Sequence, residues 1–509
     1  MQLHKKEPHR GYDAQALQIS ERSRARGLVE LLTEAHADIR KGVDPKLLAE
    51  EQQLQQKIDS TAKRLQELPD NPQTQAQRGK LKLELDNLLS QQEELKTKIR
   101  ITSPKYAALK YPQALTLPQI QQQLDKDTLL LEYSLGKKHS YLWAVTPNSV
   151  DTYELPAKEQ IENAAKEFRQ NLQLRYGSLA ENKLSQIILA PVANKLGHKR
   201  LVIVADGLLQ IIPFAGLSDI TPNNNKAAAQ RKYQPLIVNH EIVNLPSITT
   251  IATQRQELRG RKSAPKTLAI LADPVFDAND TRVTGKPDTP VPDLDLRAQI
   301  QQAYLERAAR SFNRDRWGRL NGTRNEANTI LKLVNETDKL QAFDFDANYN
   351  WATSKQLSQY RFLHFATHGF ADKDEPELSG IVLSLVDKRG LPTPQGYLRL
   401  GDIFNQDYPA DLVVLSACET GLGKDVQGEG LIGLTRGLMY AGAQRVAVSL
   451  WEVDDNATAE LMQEFYFQML QKHKSPTVAL REAQLKLWRN PNWNKPSYWA
   501  AFTLQGEWR

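Results

Sequence analysis

The chain has 509 residues, 40% hydrophobic and 25% charged, with a formal net charge of +6. That length exceeds one ordinary core and predicts two or three domains, and the Lys and Arg residues are spread along it, with no massed tract of the kind that binds nucleic acid. One cysteine, Cys418, excludes an internal disulfide and a thiolate-rich metal cluster, and neither a signal-peptide core nor an apolar run of ~20 residues is present, so the expectation is a cytoplasmic chain without cofactor, metal or membrane segment.

Residues 12–43 read as a helix, with Leu17, Ile19, Leu28, Leu31 and Leu32 on its apolar face and Gly42 as its stop. Two arms, 46–68 and 78–100, then carry apolar seams at spacings of three and four. The first seam is Leu47, Leu54, Ile58, Leu65 and Leu68; the second is Leu81, Leu85, Leu88, Leu95 and Ile99. Pro69-Asp70-Asn71-Pro72 breaks the chain between them, which predicts an antiparallel helical hairpin. Its function is read equally well as a partner-binding surface or as a plain solvated helix pair.

From Asp127 the texture changes to mixed α/β. DTLLLEYSLG (127–136) and SYLWAVT (140–146) read as paired strands, followed by a helix at 157–174 and β runs at 187–196, 200–214 and 236–248. After a charged linker at 252–266, TLAILADPVF (267–276) opens a second α/β unit. Residues 278–323 read as a long excursion before a helix at 324–334. Apolar strands follow at 340–345, 361–367, 380–386, 397–400, 412–416, 445–451 and 499–506. The helices between and after them fall at 353–359, 401–405, 429–442, 456–472 and 476–488. Continuous apolar runs of this kind are strands buried on both faces of a largely parallel sheet, and such sheets carry their sites at the carboxyl ends of strands.

Two strand ends there hold nucleophile chemistry. RFLHFATHGF (361–370) ends in His368-Gly369, and DLVVLSACETGLG (411–423) places Cys418 where its strand stops, 50 residues after the imidazole. This order and spacing match a caspase-type arrangement. Cys418 would be the nucleophile and His368 the base that takes its proton and later protonates the leaving amine. The N–H groups of Gly369 and Cys418 are the natural oxyanion donors. No Asp or Asn is placed by sequence as a third member. Gly421, Gly423, Gly428 and Gly430 predict a loop able to line or gate the cleft. Taken singly, a strand-end Cys or His is more often structural; the joint placement favours the dyad. His364, inside its strand, reads as core.

HFATHGF, VVLSACETG and GEGLIGLTRGLMYAGAQRVAVSLWEVDD (428–455) together resemble the CHAT family, caspase-like domains usually found behind tetratricopeptide repeats in bacteria, and the same run is similar to separase. The resemblance spans roughly residues 180–507. LNGTRNEA (320–327) resembles the family's Gly-Thr-Arg lead-in to a helix, with Asn321 where Pro is common, and ERSRARGLVELL (21–32) resembles the helix that joins the repeats to the linker. The resemblance implies the His368–Cys418 dyad and an acidic residue that holds a basic side chain before the scissile bond. Asp455 is the first candidate, with Asp454 and Glu429 behind it; a helix cap is an equal reading of the two aspartates.

These readings combine into an α/β fold: a caspase-like sheet with helices on both faces, preceded by a pseudo-caspase α/β unit and an N-terminal helical hairpin. The domains expected are a repeat remnant at 1–44, a hairpin linker at 45–126, a pseudo-caspase unit at 127–260 and a catalytic domain at 261–509. The expected function is a cysteine endopeptidase acting on protein substrates and gated by a regulatory protein on the N-terminal helices. The rival is a scaffold whose dyad is vestigial.

Overall fold

The computed structural model describes residues 1–34, 44–69, 73–103, 113–173, 179–220, 233–285, 296–311, 316–370, 372, 378–416, 429–451 and 453–509. They form two compact units, one of Arg22–Ala114 and one of Met1–Glu21 with Leu115–Arg509.

In the smaller unit the helices Pro45–Glu67 and Gln75–Thr102 run antiparallel. Gln92 Nε2 donates to Gln55 Oε1 at 2.9 Å, and Arg78 donates to the Leu65 carbonyl at 3.2 Å near the opposite end. Leu47, Leu54 and Ile58 close on Leu88, Leu95 and Ile99, as the alternating seams predict. Thr61 interrupts the seam yet is buried, its hydroxyl 3.4 Å from Glu84.

The larger unit is mixed α/β, built on a large sheet flanked by helices. Its strands are β1 (Thr128–Ser134), β2 (Ser140–Thr146), β3 (Ser149–Leu155), β4 (Arg200–Val204), β5 (Ile242–Asn244), β6 (Lys266–Pro274), β7 (Lys339–Asp344), β8 (Tyr360–Ala366), β9 (Gly369–Phe370), β10 (Gly380–Val382), β11 (Tyr397–Arg399), β12 (Leu412–Leu415), β13 (Arg445–Ser449) and β14 (Phe502–Gly506). Among the described residues eleven strands form one sheet in the order β3-β2-β1-β4-β5-β14-β13-β12-β8-β6-β7, and β11-β10-β9 form a second. β12 is parallel to both neighbours, and β6 and β8 are parallel. β14 pairs with β5, so the sheet runs without a break from the first α/β run into the second. The wholly buried β12, β13 and β14 are the continuous apolar runs of the sequence.

Several expected runs fold otherwise. Residues 187–196 are not a strand: a helix ends at Ile188, and Leu184, Ile188, Val192 and Leu196 are buried at steps of four, the period of a helix. The run 236–248 holds only the short β5 after a helical turn at Leu236–Val238. The strand SVDTYEL, β3, is half exposed and has no apolar run to announce it. The excursion at 278–323 contains a helix, Leu296–Ser311, whose Tyr304, Leu305, Ala308 and Ala309 pack with Trp317, Phe370, Val382 and Tyr397 over the small sheet. At the amino end, Glu21 is buried and its carboxylate accepts from the Ile248 and Thr249 N–H groups, capping the helix Ile248–Glu257.

Candidate active site

β8 and β12 lie side by side and parallel, pairing Leu412 with Phe362, Val413 with Leu363, Val414 with His364 and Leu415 with Phe365. Every pair is offset by 50 residues, the separation of His368 and Cys418 in the sequence. Ser416 continues the pairing, its N–H donating to the Phe365 carbonyl at 2.9 Å. Cys418 itself, with Ala417 and the glycines Gly421, Gly423 and Gly428, lies outside the described residues, as does the side chain of Glu429, the first residue of the helix Glu429–Tyr440.

His368 follows β8 by two residues and is fully buried. Its main chain is fixed by β10: Val382 N–H donates to the His368 carbonyl at 2.7 Å, and Thr367 Oγ1 donates to the Val382 carbonyl at 2.7 Å. Gly369 pairs with Ile381 in the small sheet. The imidazole packs against Phe276 and Trp317 in tilted contacts, with ring centroids 5.0 and 5.1 Å away. Its Nε2 sits 2.6 Å from the Gly318 carbonyl. A carbonyl only accepts, so Nε2 carries the hydrogen and Nδ1 is the basic nitrogen of this tautomer. The side chain that sequence reading sought as a third member is replaced in this geometry by a main-chain oxygen. No spacing rule reveals a carbonyl, which is why Gly318 was not legible.

The next residue, Arg319, donates through Nε and Nη2 to the two oxygens of Asp273, at 2.9 and 2.8 Å. Asp273 is fully buried at the end of β6, has φ of 51°, and sits where the β6–β7 register shifts. Arg282 and Arg324 also reach it, at 3.1 and 3.2 Å, and both bond Asp344, whose carboxyl lies below its ordinary range. Burial alone would push the Asp344 carboxyl up; the two guanidinium groups outweigh it.

A second polar group lies beneath the strand ends. His364 is core, as read, but it is not apolar in its contacts. Its Nδ1 is 3.0 Å from Tyr466 Oη, and its Nε2 is 3.0 Å from Glu326 Oε1, off the direction of a good hydrogen bond. The same Oε1 accepts from Ser416 Oγ at 2.5 Å. Burial, with the Glu326 charge added, raises the Tyr466 phenol well above its ordinary pKa, so a protonated hydroxyl faces Nδ1. Glu326 therefore ties the strand that leads to Cys418 to the strand that leads to His368. Sequence reading missed it because it sits on a helix 90 residues from Ser416.

Asp454 and Asp455 are exposed. Asp454 caps the helix Asp455–Leu470, accepting from the Asn456 and Ala457 N–H groups at 3.0 and 3.2 Å. Asp455 Oδ2 accepts from the Gly322 N–H at 3.0 Å, at the start of the helix Asn321–Leu331. Among the described residues no group of three or more His, Cys, Asp or Glu side chains is arranged to hold a metal, and no helix is long and apolar enough to cross a membrane.

The family model for the CHAT domain matches residues 180–507. Tetratricopeptide repeat protein 28 of Homo sapiens is 25% identical over 337 residues, covering 61% of this chain and 12% of that protein. Its Mus musculus counterpart is 24% identical over 383 residues, covering 67% and 14%. The chain thus spans about an eighth of the length of these curated relatives. Among solved structures it is similar to the Saccharomyces cerevisiae separase–securin complex (TM-score 0.39, 9% identity, 82% of this chain and 33% of that one). It is also similar to the Arg-specific cysteine proteinase gingipain R (TM-score 0.35, 10% identity, 69% and 75%).

Proposed function

The chain belongs to the CHAT domain family, and on that footing we propose that it is a caspase-like cysteine endopeptidase that cuts protein substrates with His368 and Cys418. The observation that carries this reading is the constant 50-residue offset between β8 and β12, combined with a His368 ring packed against Phe276 and Trp317 and held at Nε2. In the proposed reaction His368 Nδ1 takes the thiol proton as Cys418 Sγ attacks the scissile carbonyl. The N–H groups of Gly369 and Cys418 hold the oxyanion. The imidazolium then protonates the leaving amine, and water hydrolyses the thioester. We assign the preference to a basic residue before the scissile bond, held by Asp455, with Asp454 and Glu429 as further acids. Capping does not exhaust a carboxylate, which offers about four acceptor sites.

The full burial of His368 favours a gated enzyme, opened by a protein partner on the N-terminal helices, in a reducing cytoplasm. The same burial is the observation that favours the rival, a scaffold with an idle dyad. Cleavage of a fluorogenic peptide library, varied at the residue before the bond, separates them. Cleavage after Arg or Lys that is lost in Cys418→Ala supports the peptidase. Absence of cleavage, with Cys418 inert to a peptide electrophile until the chain unfolds, supports the scaffold.

A further inference from the structure

We infer that Arg319 and Asp273 form a positioning pair for His368, an inference that rests on the peptidase reading. Trp317, Gly318 and Arg319 are consecutive, and each does one thing at this ring. Trp317 packs against the ring, the Gly318 carbonyl accepts the Nε2 hydrogen bond, and Arg319 anchors the segment. Trp317 is itself fixed, its Nε1 donating to the Leu305 carbonyl at 3.2 Å. A main-chain oxygen can orient an imidazole only if its own segment is held in place, and the fork from Arg319 to a buried carboxylate ties this segment to β6 through two charge-assisted bonds.

The anchor is built for the purpose at a backbone cost. Asp273 takes up the left-handed region, where a side chain other than glycine is disfavoured, and it falls at the register shift between β6 and β7. A bulged residue at a strand end re-aims its side chain, here toward Arg319 and away from the regular pleat. β6 also neighbours β8 directly, with Ala272 opposite Ala366. The carboxylate that holds the Gly318 segment is therefore fixed to the strand that carries His368. The cluster is not a generic ion-pair patch on the surface: Asp273 has no exposure, and Arg282 and Arg324 balance its charge even without Arg319.

That redundancy makes the test clean, because variants at Arg319 leave Asp273 paired. Arg319→Lys keeps a positive charge but cannot form two parallel bonds; Arg319→Ala removes both. Arg316→Ala, which breaks an exposed pair with Asp277 three residues before Arg319, is the control. Two readouts are taken on the full chain: kcat and KM for a cleaved peptide, and the pH profile of iodoacetamide alkylation, which reports on Cys418 as the only thiol. The expected result is that both Arg319 variants lower kcat by about tenfold or more, a part of the 10²–10⁴ that a positioned base contributes. KM should stay within about twofold, a pattern of lost transition-state contacts alone. The thiol should titrate closer to an ordinary cysteine, as it does in His368→Ala. A native kcat and native alkylation profile in Arg319→Lys and Arg319→Ala overturns the inference and leaves the peptidase reading intact. So does a loss of kcat that tracks a rise in KM and a fall in Tm, which marks a merely structural tie. A native chain that does not cleave, and whose thiol titrates identically with and without His368, overturns the peptidase reading and the inference with it.

Discussion

His368 Nε2 and the Gly318 carbonyl, 2.6 Å apart, define which nitrogen of the imidazole is basic. Since the contact is made by main chain, the side chain at 318 is open to change. A Cβ built on Gly318 meets nothing within 4 Å. On the peptidase proposal, Gly318→Ala is therefore expected to retain cleavage within about threefold, whereas His368→Ala loses at least the 10²–10⁴ of base catalysis. Steady-state kcat/KM on one peptide substrate, with both variants checked for a native melting profile, decides this.

Glu326 makes a prediction about stability. Its Oε1 receives the Ser416 hydroxyl and faces His364 Nε2, and all three residues are buried. Removing the carboxylate leaves the buried Ser416 hydroxyl without its acceptor, at about 1–3 kcal/mol. Glu326→Ala should lower the urea midpoint by an amount equivalent to about 1–3 kcal/mol or more, since the truncation also leaves a cavity. Glu326→Gln keeps one oxygen for Ser416 and should cost less than half as much. Equal midpoints for the two variants would mean that the oxygen kept for the Ser416 hydroxyl contributes nothing.

The contrast between the legible and the illegible parts is physical. The strands β8, β12 and β13 were readable because burial on both faces demands unbroken apolar runs. The hairpin was readable because Leu47, Leu54 and Ile58 keep the helical period against Leu88, Leu95 and Ile99. The failures share a cause. IILAPVANKL has β-branched and apolar content but is too short for periodicity to separate helix from strand, and neighbouring packing settled it as helix. Gly318, Asp273 and Glu326 act through a carbonyl, a positive-φ backbone and a contact across 90 residues, none of which leaves a spacing signature. Asp454 was readable as a cap, since an Asp before a helical run is the commonest cap chemistry.

The carboxy-terminal segment carries a pH-dependent contribution. Burial alone would raise the Glu507 carboxyl, but Arg255 donates to both its oxygens, at 2.5 and 2.7 Å, and the net shift is downward. Asp280 is lowered in the same way, to about 2, by the Arg282 side chain that bonds it. A carboxyl whose folded pKa is depressed binds fewer protons folded than unfolded. Its stabilisation is thus complete above the unfolded value of about 4.3 and is lost as pH falls through the folded one. Unfolding free energy should decline as the pH drops below about 4.5, and Glu507→Gln should flatten that decline while lowering stability at pH 7. Urea unfolding of both chains between about pH 3 and pH 7 measures it; parallel curves would show that Glu507 does not contribute.

Gly322 and Asp455 hold two helix starts against each other, and their closeness gives a pairwise prediction. A Cβ on Gly322 would fall well inside contact distance of both Cβ and Cγ of Asp455. Neither atom is the tip of a flexible chain, so the helices Asn321–Leu331 and Asp455–Leu470 would have to separate. Overpacking of this kind costs about 1–3 kcal/mol, and the Gly322 N–H would lose its acceptor as well. Gly322→Ala should therefore destabilise the chain measurably in urea. Asp455→Ala should not relieve it, because the offending Cβ remains, whereas Asp455→Gly removes every atom in the way. In a double-mutant cycle, Gly322→Ala with Asp455→Gly should recover part of the loss, a coupling of about 1 kcal/mol or more. Strict additivity of the two substitutions would place the strain elsewhere. The same pair bears on specificity: if Asp455 also receives the basic side chain of a substrate, Asp455→Asn should raise KM for Arg and Lys peptides and leave their kcat little changed, since an amide still accepts from Gly322 but no longer attracts a cation.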